Sequence, residues 1–571
     1  MNQKIIAYIP LDDRPCNYDR VRLAAEAMEV QILTPPIEYF KNYLDDQGTN
    51  ERGWQIGCPD KIEQWFEQIN REYNIDSYII SLDQLCSGGL IGARKFNHPV
   101  SIKESIDRFE RIMNMTNNKK VYLFDVVLRL ATTVGFDGLT KEDYDASRNY
   151  ASVPRYKVDL GTMDELKERD EIINKYKIDV NGNEINPAKY NFTKVNEYLE
   201  SRKRKFHLNC EIGMILKAYP NAELVYCVED ANNNDTIQTN EIEHIKRYIA
   251  NTSNIFAGAD ELGMTMLGRA VCDFYMTNPV KIKTIYFGPG ANELADMFDF
   301  ETLKENVDKH INILNHCKIV NDNETADVEV LVLTKPNDYP NLSEAEREKA
   351  QQDDMYKASN DMHWHINNNT RVKNMPTIVI DASWFKSRGG IMQKRLLGHY
   401  GKEMELSKIL AYSNWNTVGN SIGMALGHGI GRYAYLKYPN KIDKRKALTG
   451  QAVLLFTEYA KDICYQTGGQ WRINVDLGPG ANNFCSANID MNSQWFKETV
   501  SKGMKDETFS IFTLAKLFRT EGYMYEDLNS YKLTQINWIN YPYENGLDFF
   551  PLEFPWKRTF ECRFPVKVSF K

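Results

Sequence analysis

Short apolar runs punctuate this chain at near-regular intervals, and polar turns follow them. IIAYI at 5–9, YIISL at 78–82, VYLFDVV at 121–127, ELVYCV at 223–228, NIFAGA at 254–259, TIYFG at 284–288, VEVLVL at 328–333, TIVID at 377–381 and KILAYS at 408–413 all read as strands. Amphipathic stretches such as 60–73, 101–115, 241–250 and 300–315 lie between them and read as helices. Strands alternating with helices predict βαβ units and a parallel sheet. The near-continuous apolar character of the runs suits strands buried on both faces.

Nine runs are close to the eight of a (β/α)8 barrel and would also serve two doubly wound sheets. No clear linker breaks residues 1–440, which favours the barrel. The expected fold is therefore α/β, a (β/α)8-barrel-like arrangement of parallel strands with long insertions at about 133–222 and 336–375. From 441 the pattern changes to a smaller α+β region, helical at first and ending in the strand-like PWKRTFECRFPVKVSF at 555–570.

Composition adds limits. With 571 residues the chain is longer than one core usually supports. Hydrophobic residues at 42% and charged residues at 26% are ordinary for a globular protein. A net charge of −8 argues against a broad nucleic-acid or membrane-surface binder. The basic run Arg202 to Lys205 reads as a solvated helix face. No apolar stretch reaches transmembrane length. Ten scattered cysteines without a CxxC pair, and a start that enters a strand directly, point to a reducing cytoplasm.

The chemistry sits where strands stop. After the first strand come Asp12, Asp13 and Arg14 between Pro10 and Pro15. Arg14 has the planar fork that clamps carboxylates or phosphates. After the second run, SLDQLCSGGLIGAR at 81–94 offers Asp83, a Gly88-Gly89 turn and Arg94. The fourth run ends in Glu229-Asp230, an acid pair whose mutual repulsion would separate two pKa values. Asp260 and Glu261 precede a helix, where a favourable helix dipole is the plainer explanation. Asp381 ends the eighth run, and Asn414, Trp415 and Asn416 end the ninth. Trp415 between two amides reads as a stacking platform with hydrogen bonders; a buried Trp415 beside a helix cap is the alternative. His363 and His365 lack a partner cluster, so no metal is expected, and no cofactor motif is present.

PLDDRPCN at 10–17, SLDQLCSGGLIGAR at 81–94, VEDA at 228–231, GADELG at 258–263, NWNTVGNSIGMALGHG at 414–429 and PWKRTFE at 555–561 together resemble a bacterial family known only as a conserved domain of unknown function. That resemblance spans nearly the whole chain and implies no catalytic residues. Glu229 stands where the family pattern leads one to expect aspartate. PWKRTFE resembles a packing strand more than a site. A weaker, fold-level likeness to hexosaminidase-type glycoside hydrolases rests on two adjacent acids ending the fourth strand of a barrel. It implies an orienting role for the first acid and a general-acid role for the second.

The expectation is a glycoside hydrolase or related carbohydrate-active enzyme. Glu229 and Asp230 would be catalytic. Asp12, Asp13, Arg14, Asp83, Arg94, Asp260, Glu261, Asp381, Asn414, Trp415 and Asn416 would bind a small-molecule or carbohydrate substrate. Two alternatives stand beside it: a hydrolase or transferase acting on an anionic small molecule through Arg14, Arg94 and Arg388, and a non-catalytic sugar- or metabolite-binding protein.

Overall fold

The computed structural model describes residues 3–44, 48–232, 234–383, 406–470, 472–473, 490–505, 533–537, 553–559, 561–563 and 567–570. All nine expected strands are present. Two more, Val30–Leu33 and Cys317–Ile319, bring the parallel strands among the described residues to eleven.

These strands form two open sheets. The first contains β1 (Lys4–Ile9), β2 (Val30–Leu33), β3 (Ser77–Ser81), β4 (Lys120–Val127), β5 (Ala222–Val228) and β6 (Ile255–Ala257), in the order β2-β1-β3-β4-β5-β6. The second contains β7 (Val280–Phe287), β8 (Cys317–Ile319), β9 (Val328–Leu333), β10 (Thr377–Asp381) and β11 (Ala411–Ser413), in the order β11-β10-β9-β7-β8. Counted from its own first strand, each sheet repeats the doubly wound order 2-1-3-4-5, and the first adds β6 at its edge. The α/β class and parallel pairing match the sequence pattern, but one closed ring does not form. Periodicity specifies strands and their burial; closure depends on tilt and pairing, which it does not encode.

Alternation along the strands builds layers. Ile6 and Tyr8 enter a central core that also holds Val330 and Val332 of β9. Ala7 and Ile9 face the opposite side of the first sheet, with Phe66, Phe109 and Phe206 of its outer helices. Leu331 and Leu333 face the outer side of the second sheet, with Met362 and Phe456. Two helices, Leu262–Tyr275 and Val418–Lys437, cross in the middle layer and join the halves. Their contact is backbone on backbone: a Cβ on Gly268 would stand 2.4 Å from the Gly427 carbonyl oxygen. Only glycine permits that approach.

The expected insertions carry the crossover helices. Val195–Ile215 leads into β5, and Glu344–Asn367 connects β9 to β10. His363 and His365 lie on this second helix rather than on a strand, and two residues apart they do not share a face. The basic run on the first is not a solvated face. Arg202 is buried against Glu241, and Lys205 is buried against Asp83 and Asp125, because the helix is packed over the sheet. Beyond 441, the helix Lys444–Tyr459 packs on Asp19–Ala27. A short antiparallel pair follows, β12 (Leu533–Asn537) and β13 (Lys567–Phe570). The start of PWKRTFE is not a strand: Pro555–Lys557 make a tight turn, with Trp556 and Lys557 on left-handed backbone (φ 58° and 50°). Among the described residues no helix is long and apolar enough to cross a membrane.

Candidate active site at the strand ends

Doubly wound sheets bind ligands beyond the carboxyl ends of their strands, where the strand order reverses. In the first sheet that point lies between β1 and β3. Proline on either side stiffens the turn after β1, and the turn is buried. Arg14 is its centre. Its guanidinium donates to Asp12 through Nε (3.0 Å) and Nη2 (2.7 Å), and to Asp260 through Nη1 (2.9 Å). Asn17 donates a further bond to Asp12 (2.9 Å). Asn420, on the first turn of the Val418–Lys437 helix, accepts from the Ala259 and Asp260 amides at 3.1 and 3.0 Å. Asn416 donates to Asp260 at 3.5 Å. Residues after β1, β6 and β11 thus share one network, so both sheets contribute to it.

Asp13 points elsewhere. It accepts from the Asn42 amide (3.0 Å) and from the Trp556 indole (3.2 Å). Burial, with the Asp12 charge adding, raises its carboxyl to about 6. The Arg14 guanidinium lies 4.3 Å from the centre of the Trp556 ring. Glu561 accepts from the Cys16 amide at 3.0 Å, and Arg563 donates to Asp19 at 2.6 Å. The PWKRTFE segment therefore closes over the opening turn. From its sequence the segment reads as packing, and its cluster of charge beside an aromatic is the one local sign of a site.

The acid pair lies next to this network. Arg94 is ion-paired with Glu229 and donates to Thr133 at 2.7 Å. Arg129, two residues past β4, reaches Glu229 at 3.8 Å and Asp230 at 3.6 Å. The two carboxylates differ in setting. Glu229 is held by Arg94, whereas Asp230 sits on left-handed backbone (φ 39°) and keeps 19% of its side chain exposed. Burial, and then the Glu229 charge, push the Asp230 carboxyl up against the pull of Arg129. Burial likewise pushes Asp260 up, with Arg14 opposing. The charges of Glu229 on Asp260 and of Arg14 on Arg129 tie the two groups electrostatically. Asp296, from the loop after β7, is also pushed up by burial and feels the Asp230 charge.

Other named residues lie apart from this cluster. Asp83 is buried under Lys205 and accepts from the Val126 amide, on the outer side of the sheet. Glu261 accepts from the Ala259 amide (2.8 Å) and the Cys227 thiol (3.0 Å) within the central layer. Asp381 accepts from the Ser383 amide at 3.1 Å. The Asn414 amide donates to Asp462 at 3.3 Å. Trp415 is fully buried, with the Lys461 ammonium 4.3 Å from its ring centre. Arg388 lies outside the described residues. Arg129, Trp556 and Asp296 are site residues outside the sequence-predicted set. Arg129 carried a usable signal, a charge just past a strand end; the others meet the site only through long-range packing. Among the described residues no group of His, Cys, Asp and Glu is arranged to hold a metal ion.

The family model described as "Protein of unknown function (DUF4127)" matches residues 6–565. The chain belongs to this family. That match spans every strand of both parallel sheets except the first two residues of β1, and it ends before β13. No curated protein matches the chain.

Proposed function

We propose that this DUF4127 chain is an enzyme acting on carbohydrate, most simply a glycoside hydrolase, with its reaction centred on Asp230. The observation that carries the reading is the division of labour in the acid pair. Glu229 is locked by Arg94, which suits a fixed negative charge that orients substrate or stabilises positive charge at a sugar ring. Asp230 is partly open and pushed toward its protonated form, which suits proton donation to a leaving oxygen. Two adjacent carboxyl groups in unlike settings are what acid–base chemistry at one bond needs. Asp12, Arg14, Asp260 and Asn416 form the binding floor beside them.

A panel of chromogenic glycosides tests this directly. The wild-type chain should turn over at least one of them, and Asp230→Asn should lower kcat by about 10²–10⁴-fold. Glu229→Gln should cost less in kcat and shift the pH profile, because Asp230 loses its negative neighbour. Full activity in both variants would falsify the assignment.

A further inference from the structure

The acid pair is surrounded by more guanidinium than it can neutralise. Arg94 comes from the turn after β3, Arg129 from the end of β4, and Arg148 from the helix Lys141–Ala151. Arg94 and Arg129 contact Glu229, Arg129 also reaches Asp230, and the charge of Arg148 acts on Asp230. Three cations thus face two carboxylates, one of which burial drives toward neutrality. The next carboxylate, Asp296, has Lys335 as a counter-charge.

Aromatic rings back two of these guanidinium groups. Arg129 lies 5.4 Å from the Tyr144 ring centre and Arg148 lies 4.9 Å from that of Phe298. Tyr144 and Arg148 are one turn apart on the same helix face. Such backing fixes the planes of the forks before any ligand arrives. Two of their donors, Arg94 Nε and Arg148 Nη1, are buried and have no hydrogen-bond partner among the described residues. Buried donors are nearly always satisfied in folded proteins, so unmet ones beside a site call for an acceptor. The cluster opens to solvent at Asp230 and Arg129, whose side chains are 19% and 12% exposed.

We infer that Arg94, Arg129 and Arg148 form a subsite for an anionic group, so that the substrate is an acidic sugar carrying a carboxylate or a phosphate. Guanidinium forks pair with both kinds of oxyanion. This rests on the carbohydrate reading above and narrows it to a class of substrate.

The test is equilibrium binding of D-glucuronate, D-glucose 6-phosphate and D-glucose to the full chain and to Arg148→Gln and Arg148→Lys. At least one anionic sugar should bind tenfold or more tighter than glucose, and which one does so distinguishes carboxylate from phosphate. Arg148→Gln should erase most of that advantage, and Arg148→Lys should keep part of it. Raising NaCl should weaken the anionic sugar and not glucose, a reading that needs no variant to fold. Equal binding of glucose, no binding of either anionic sugar, or an advantage that survives Arg148→Gln overturns the subsite. The two readings fail separately. An acidic sugar bound tightly, with no acidic glycoside cleaved, keeps the subsite and removes the hydrolase. Neutral glycosides cleaved with no preference for acidic ones do the reverse.

Discussion

At the end of β1 the first sheet places Asp12, Asp13 and Arg14; at the end of β7, the same position in the second sheet, the chain runs Gly288-Pro289-Gly290. Both turns sit where the strand order reverses, so both are placed to hold a ligand. The first is filled by a buried ion-pair network. The second closes on itself. The Gly290 amide donates to the Thr334 hydroxyl at 2.9 Å, and a Cβ on Gly288 would stand 2.6 Å from that oxygen. Its neighbouring ion pair, Lys335 with Glu293 at 3.1 Å, is partly exposed on both sides. One topology thus serves two ends, one carrying charge and one largely backbone. Strand order supplies the crevice, and side chains decide what it can do.

Substitutions at matched positions probe this difference. Arg14→Met should have the largest effect on stability, about 3–5 kcal/mol, because it leaves Asp12 and Asp260 buried without their cation. Urea unfolding measures it, and a loss under 1 kcal/mol would mean that the network is not a closed electrostatic unit.

Asp381 of β10 comes next. Its Oδ2 has no hydrogen-bond partner among the described residues, and burial raises it from 3.8 to about 6. A folded pKa above the unfolded one means that the native state holds the proton more tightly. The stability linked to this group is therefore present below about pH 4 and lost as pH rises toward 6. Asp381→Asn should remove that decline, worth about 2–3 kcal/mol between pH 4 and 7. Parallel pH–stability curves for variant and wild type would rule it out.

Gly288→Ala should cost about 1–2 kcal/mol, since φ of 101° and the close Thr334 oxygen both penalise a Cβ. If the variant is as stable as wild type, the second turn is looser than its glycine implies. Lys335→Met should change stability by about 0–1 kcal/mol, because a partly exposed ion pair contributes little. A loss near that of Arg14→Met would erase the contrast between the two ends.

Most of the strands that could be read from the chain are buried on both faces, where nearly every position is apolar; half-buried β7 was legible from its β-branched and aromatic run TIYF. The two that escaped, β2 and β8, have four and three residues, are largely half-buried, and lie at sheet edges. Each is the second strand of its sheet, so missing them hid the repeated order. Without that repeat, nine runs resembled one barrel. The charged strand ends were legible for a related reason. Glu229-Asp230 and Asp260 follow apolar runs directly and Asp12 to Arg14 follow within a few residues, and a charge cannot continue a buried strand without a partner. Which partner each one takes was not legible. Asp83 and Asp12 follow neighbouring strands, β3 and β1, with the same local signature, yet one meets Lys205 and the other Arg14.

By itself the sequence determined the alternation of strand and helix, the apolar cores of those strands, and the placing of charge at their ends. These follow from local periodicity and from the cost of burying polar groups. Tertiary structure alone decided that the strands divide into two sheets of one order, that glycine-lined helices bring those sheets together, and that Trp556 returns to cover Arg14. It also decided that Arg94, Arg129 and Arg148 gather around Glu229 and Asp230. Such contacts join residues tens to hundreds of positions apart, and their energy depends on geometry and shared burial, which no local pattern records.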